Sequence, residues 1–135
     1  MSKKIISQVL SNKLFRQMNK YWDTDEFRWY PLVESKCSVL CVDEEQIDFS
    51  KLKQALVELS IKKVYVIHEY YVIEDYICDI NELEFKQLNI EQFIFDDTFK
   101  WIIYFTHEGY ITIGGLVLMN RVKVLHNEEL KHVIL

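Results

Sequence analysis

Glycine occurs three times, proline once and cysteine three times in 135 residues. So few glycines cannot build a Walker loop or a dinucleotide-binding fingerprint, both of which need glycine where backbone approaches phosphate. With Pro31 as the single proline, no linker-like stretch divides the chain, so residues 1–135 read as one domain. Cys37, Cys41 and Cys78 are an odd set without Cys-x-x-Cys spacing. On a strand, Cys37 and Cys41 would lie ~13 Å apart, too far for one metal or a disulfide. Such cysteines are expected as buried thiols in a reducing, cytoplasmic setting. No window approaches the ~18 apolar residues of a membrane span. Near the start, Ser7, Gln8, Ser11, Asn12 and Lys13 interrupt the apolar stretch that a signal peptide requires.

What the chain does have is core material: half of its residues are hydrophobic and 14% are aromatic. Disordered sequences lack that content. Sixteen basic residues against twenty-one acidic ones give a net charge of −5. That balance repels nucleic-acid phosphates and favours a basic protein partner, whose approach it would accelerate.

The hydrophobic pattern predicts an α+β domain. Its sheet is expected to be mixed but mostly antiparallel, with an N-terminal helix and one β-α-β crossover packed on it. Ile6, Leu10, Leu14 and Met18 recur every four residues and predict an amphipathic helix over 3–20, with Val9 and Phe15 beside the stripe and Ser2 as N-cap. Ser38–Val42 reads as a buried strand. A helix then starts at Asp48, with Ile47 and Leu52 in hydrophobic-staple positions and Phe49, Leu52, Leu56 and Leu59 facing inward. Lys63–Ile67 follows as a strand, and this strand–helix–strand order suggests two parallel strands joined by a right-handed crossover. From residue 91 the pattern turns antiparallel. Gln92–Phe95, Trp101–Phe105 and Tyr110–Ile113 are β-rich, with turns at Asp96-Asp97-Thr98 and at Glu108-Gly109, the latter a two-residue hairpin signal. Leu116–Leu125 fits a strand by its valines and a helix by its spacing. Asn127 reads as the cap of a short C-terminal helix.

Two His-Glu pairs, His68-Glu69 and His107-Glu108, follow similar aromatic-bearing strands. Imidazole with carboxylate suits zinc, iron or manganese, or general acid–base work. Adjacent strand residues point to opposite faces, however, so ligation requires His68 and His107 to meet across the sheet, and no third ligand is evident. Hydrogen-bonded turn histidines are the simpler expectation, and neither a metal nor another cofactor is expected. Asp96-Asp97 and Glu74-Asp75 are acidic pairs of the type found at hydrolytic sites, but turn chemistry accounts for the first. There is no Gly-x-Ser-x-Gly elbow. The chain does not read as an enzyme.

The stretch Phe93–Gly115, about a sixth of the chain, resembles the C-terminal hairpin region of small bacterial immunity-type proteins from polymorphic-toxin systems. Trp101, His107, Glu108, Gly109, Ile111 and Gly114 carry the likeness. The resemblance implies a cytoplasmic inhibitor that binds a toxin domain and blocks it, with no turnover. Charge and aromatics coincide at Trp22, Asp23, Asp25, Glu26 and Trp29, which are the first candidates for partner contact. An aromatic-rich segment such as Tyr21–Tyr30 more often covers the end of a core beneath a loop. Asp43, Glu44, Glu45, Asp96 and Asp97 are the second group. Two alternatives stand beside this expectation: a structural or regulatory subunit, and a small metal-dependent enzyme built on His68 and His107.

Overall fold

A computed structural model describes residues 3–22, 39–68, 73–86 and 90–131. In chain order the elements are β1 (Lys4–Ile5), α1 (Gln8–Trp22), β2 (Val39–Asp43), α2 (Phe49–Glu58), β3 (Lys63–His68), β4 (Tyr76–Asp79), β5 (Gln92–Phe95), β6 (Ile102–Phe105), β7 (Tyr110–Gly114) and α3 (Leu116–Leu125). The strands form one sheet in the order β1-β4-β3-β5-β6-β7-β2. Every pairing is antiparallel.

The α+β class, the N-terminal helix and the crossover are present, but the expected parallel pair is not. Traced through the antiparallel pairings, β2 and β3 run in the same direction, yet β5, β6 and β7 lie between them. Short connections explain this order. The β5–β6 and β6–β7 loops close at little entropic cost, so the three strands sit together as a meander. The longer β2–α2–β3 connection then passes over it, with α2 against one face of the sheet.

Both faces of the meander are covered, so its strands read as unbroken apolar runs rather than alternating ones. Ile94, Ile103, Phe105, Ile111 and Ile113 face one way and join Leu52, Ala55 and Leu56 of α2 with Leu118, Met119 and Val122 of α3. Phe93, Phe95, Ile102 and Tyr104 face the other way and join Leu14, Met18 and Trp22 of α1. Phe93 and Tyr104 are direct cross-strand partners whose rings stack with centroids 4.6 Å apart.

Several local expectations shift. α1 begins at Gln8, where Ser7 Oγ accepts the Leu10 N–H, because Lys4 and Ile5 are already paired with β4 as an edge strand. Ser2 lies outside the described residues. The buried stripe of α1 is Leu14, Met18 and Trp22, while Val9 is exposed. Asp48 does cap α2, accepting the Ser50 N–H at 2.9 Å, and Ile47 and Leu52 are buried in the same cluster.

The β6–β7 loop is one residue longer than expected. Thr106 and Tyr110 close a three-residue loop, in which Gly109 takes φ +88° and donates to the Thr106 carbonyl. Leu116–Leu125 is helical. Gly115, at φ +101°, turns β7 directly into α3. Asn127 starts no helix; it ends α3. It sits at φ +56° and donates to the Val124 carbonyl while Glu128 donates to that of Lys123, a Schellman-type stop.

Candidate functional site

The sheet has two chemically different ends. At one end β2, β3 and β6 finish while β5 and β7 begin. Pairing of β2 with β7 sets Asp43 opposite Tyr110, and the Glu44 N–H donates to the Gly109 carbonyl at 2.9 Å. This fastens the turn Asp43-Glu44-Glu45 beside the tip of the β6–β7 hairpin, next to Glu108. Asp43, Glu45 and Glu108 are exposed and Glu44 is partly so. Asp43 also caps its own 3-10 turn by accepting the Glu45 N–H.

His68 and His107 belong to this end. His68, the last residue of β3, is opposite Gln92, and Gln92 is opposite Phe105, two residues before His107. Each imidazole has its own carboxylate. Asp75 Oδ1 accepts the His68 N–H at 2.8 Å and lies 3.2 Å from its Nδ1. Glu91, whose carboxylate is buried, accepts the His107 backbone N–H on Oε2 at 2.7 Å and meets its Nδ1 through Oε1 at 3.0 Å. Glu108, adjacent in sequence, reaches only the other ring nitrogen of His107, Nε2, at 3.7 Å. Among the described residues no three or more histidine, cysteine, aspartate or glutamate side chains gather as a metal ligand set. The two histidines act as separate hydrogen-bonded pins, one at the end of β3 and one in the hairpin turn. The hydroxyl of Thr106 is occupied by the N–H groups of Glu108 and Tyr110.

The acidic pair Asp96-Asp97 lies at the opposite end of the sheet, between β5 and β6. Asp96 is buried and turned inward on its own loop, its Oδ1 accepting the Thr98 N–H at 3.0 Å. Asp97 is exposed. Burial, with the charges of Asp97 and Asp96 added to it, pushes the Tyr65 hydroxyl above its ordinary range. A cleft of about 810 Å³ opens here, walled by Leu59, Ile61, Ile77, Trp101, Leu116 and Val117. Lys62, Lys63 and Lys100 stand around it, with Tyr65, Asp96 and Asp97. Sequence reading missed this cleft.

The other candidates fall as follows. Trp22 is packed under the sheet with Leu14 and Met18, so its ring serves the core and is not a surface contact. Asp23, Asp25, Glu26 and Trp29 lie outside the described residues, as do Cys37 and Glu69. Cys41 and Cys78 are buried thiols. Burial pushes both thiols up; the Thr112 hydroxyl opposite Cys41 and the Lys3 charge near Cys78 work against it. No described helix is long and apolar enough to cross a membrane. Comparison with protein-family models, with curated proteins and with solved structures finds no match.

Proposed function

We propose that this chain is a protein-binding module, an immunity-type inhibitor that neutralises a basic toxin domain in the cytoplasm by occupying it. The observation that supports the reading is the acidic end of the sheet. Antiparallel pairing of β2 with β7 and the Glu44–Gly109 hydrogen bond hold Asp43, Glu44 and Glu45 beside Glu108 at the tip of the β6–β7 hairpin. Carboxylates held on rigid backbone lose little entropy on binding and steer a cationic partner into register. The net charge of −5 extends the same attraction over a longer range.

The test is co-purification of the tagged chain from its native cells at low and high salt, followed by reconstitution with the purified partner and an assay of that partner's own activity. The reading expects a basic partner bound stoichiometrically and inhibited. The pair should be weakened by salt and by Glu45→Lys with Glu108→Lys. A partner whose binding ignores both substitutions would remove the acidic end from the interface. A bound partner whose activity is unchanged would sink the inhibitor reading.

A further inference from the structure

We propose that the cleft at the opposite end of the sheet is a binding site for an amphipathic anion, an acyl-chain or aromatic carboxylate with its head at the first turn of α3. The inference is independent of the acidic end and goes beyond the reading given for it. Four observations converge. At about 810 Å³ the cleft falls within the ~300–1,000 Å³ typical of small-molecule sites, and its walls are largely apolar. Leu116 and Val117, on its wall, are 65% and 68% exposed, which costs free energy unless an apolar body covers them.

The polar groups favour an anion. Lys62, Lys63 and Lys100 surround the cleft, and none of the three makes an ion pair among the described residues. Residues 116–118, the first turn of α3, line it as well. The N-cap of that helix is Gly115, which provides no side-chain acceptor, so the first N–H groups carry the positive end of the helix dipole without a cap. Trp101 adds its ring to the apolar wall, while its indole nitrogen is closed to solvent and so is not among the groups that favour the anion. Asp96 and Asp97 both oppose this arrangement with their charge, Asp96 while its carboxylate is turned onto Thr98. Asp97, the exposed one, provides a test of sign. A carboxylate head at the α3 turn would meet the helix N–H groups and lysine ammonium groups, with its apolar body against Ile61, Trp101 and Val117.

The experiment titrates the full chain with decanoate and follows heat and tryptophan fluorescence. Decanol, decyltrimethylammonium and inorganic phosphate serve as comparison probes. Saturable decanoate binding tighter than ~1 mM is expected, with the other three probes weaker by ~10-fold or more. Leu116→Asp replaces an exposed side chain at a position where helices favour a carboxylate, so the fold is retained while the new charge fills the site. It should weaken decanoate by ~10-fold or more. Lys63→Ala with Lys100→Ala should weaken it ~5-fold, and Asp97→Asn should tighten it ~2-fold, both effects shrinking in high salt. No saturable binding to the wild-type chain would overturn the proposal. Equal affinity for decanol and decyltrimethylammonium would overturn it too, as would indifference to Leu116→Asp in a folded variant.

Discussion

Replacing Gly115 by alanine separates two costs that usually arrive together. The residue has φ +101°, where an L side chain is strained by about 1–3 kcal/mol. A Cβ there would also lie 2.5 Å from the Lys100 carbonyl oxygen and 2.9 Å from the Trp101 Cα, both backbone atoms that cannot swing aside. Forced overpacking of this kind typically adds about 1–3 kcal/mol. Gly109 supplies the control. It too has a positive φ, +88°, but a Cβ there meets nothing within 4 Å, so Gly109→Ala bears the conformational cost alone. Urea unfolding of both variants, read at constant m-value, should show Gly115→Ala less stable than Gly109→Ala by about 1–3 kcal/mol. The same variant should disturb Trp101 fluorescence, because the clash falls on that residue. Equal destabilisation at both positions would refute the claim that β7 and α3 are joined by close backbone contact with the β5–β6 loop.

Three further outcomes are expected. Glu91→Gln leaves one carbonyl oxygen to serve two donors of His107 and should cost about 1.5–3 kcal/mol in urea unfolding, whereas His107→Ala, which keeps the backbone bond, should cost less. His126 is buried between two helices, its Nε2 accepting the Asp48 N–H at 3.0 Å and its Nδ1 bonding the Val122 carbonyl at 2.8 Å. His126→Ala should therefore cost about 2–3 kcal/mol and fray the start of α2, seen as faster amide exchange at Asp48. Hydrogen bonds from the Ser50 hydroxyl and the Ser50 and Lys51 N–H groups hold the Asp48 carboxyl below its ordinary 3.8. A depressed carboxylate stabilises the fold above pH 3.8 and loses that contribution as pH falls through its lower folded value. An acid titration of stability should thus be flatter in that range for Asp48→Ala than for the wild-type chain.

The parts of this fold that were legible in the sequence are those decided within a few residues. Asp48 announces a helix because its carboxylate reaches an N–H two residues on, and Ile47 with Leu52 fix the entry angle. The β6–β7 hairpin announces itself by apolar runs on either side of a glycine, although the loop closes at Thr106 and Tyr110 rather than one residue further in. What could not be read is which strands become neighbours. The strand–helix–strand stretch from β2 to β3 has the pattern of a parallel unit, but a pattern of that kind does not count the strands that come to lie between its ends. β4 carries little signal along the chain because it is short and Asp79 ends it where a 3-10 turn begins. The valines of Leu116–Leu125 favour a strand. The inward stripe of Leu118, Met119 and Val122 against α2 and the sheet outweighs that preference.

The site was less legible than the fold, for a reason the histidines make plain. His68-Glu69 and His107-Glu108 draw the eye because the residues are adjacent, yet the carboxylates that meet the two Nδ1 atoms, Asp75 and Glu91, are seven and sixteen positions away, while Glu108 reaches only the Nε2 of His107. Register would have revealed Glu91: once β5 and β6 are paired through Gln92 and Phe105, the residue before one strand faces the loop after the other. The same register divides the acidic candidates, sending Asp43, Glu44 and Glu45 to one end and Asp96 and Asp97 to the other. The cleft has no signature along the chain. Its wall comes from the α2–β3 connection, the start of β3, one residue of β4, the β5–β6 loop and the first turn of α3. Each piece is ordinary alone: a lysine pair, a turn, a glycine before a helix. Only when the sheet brings Lys62, Lys63, Lys100 and an uncapped helix start around the same apolar floor does a preference for anions arise, and so a charge-based reading of the whole chain, net acidic, points to a cationic partner at one end and misses the opposite preference at the other.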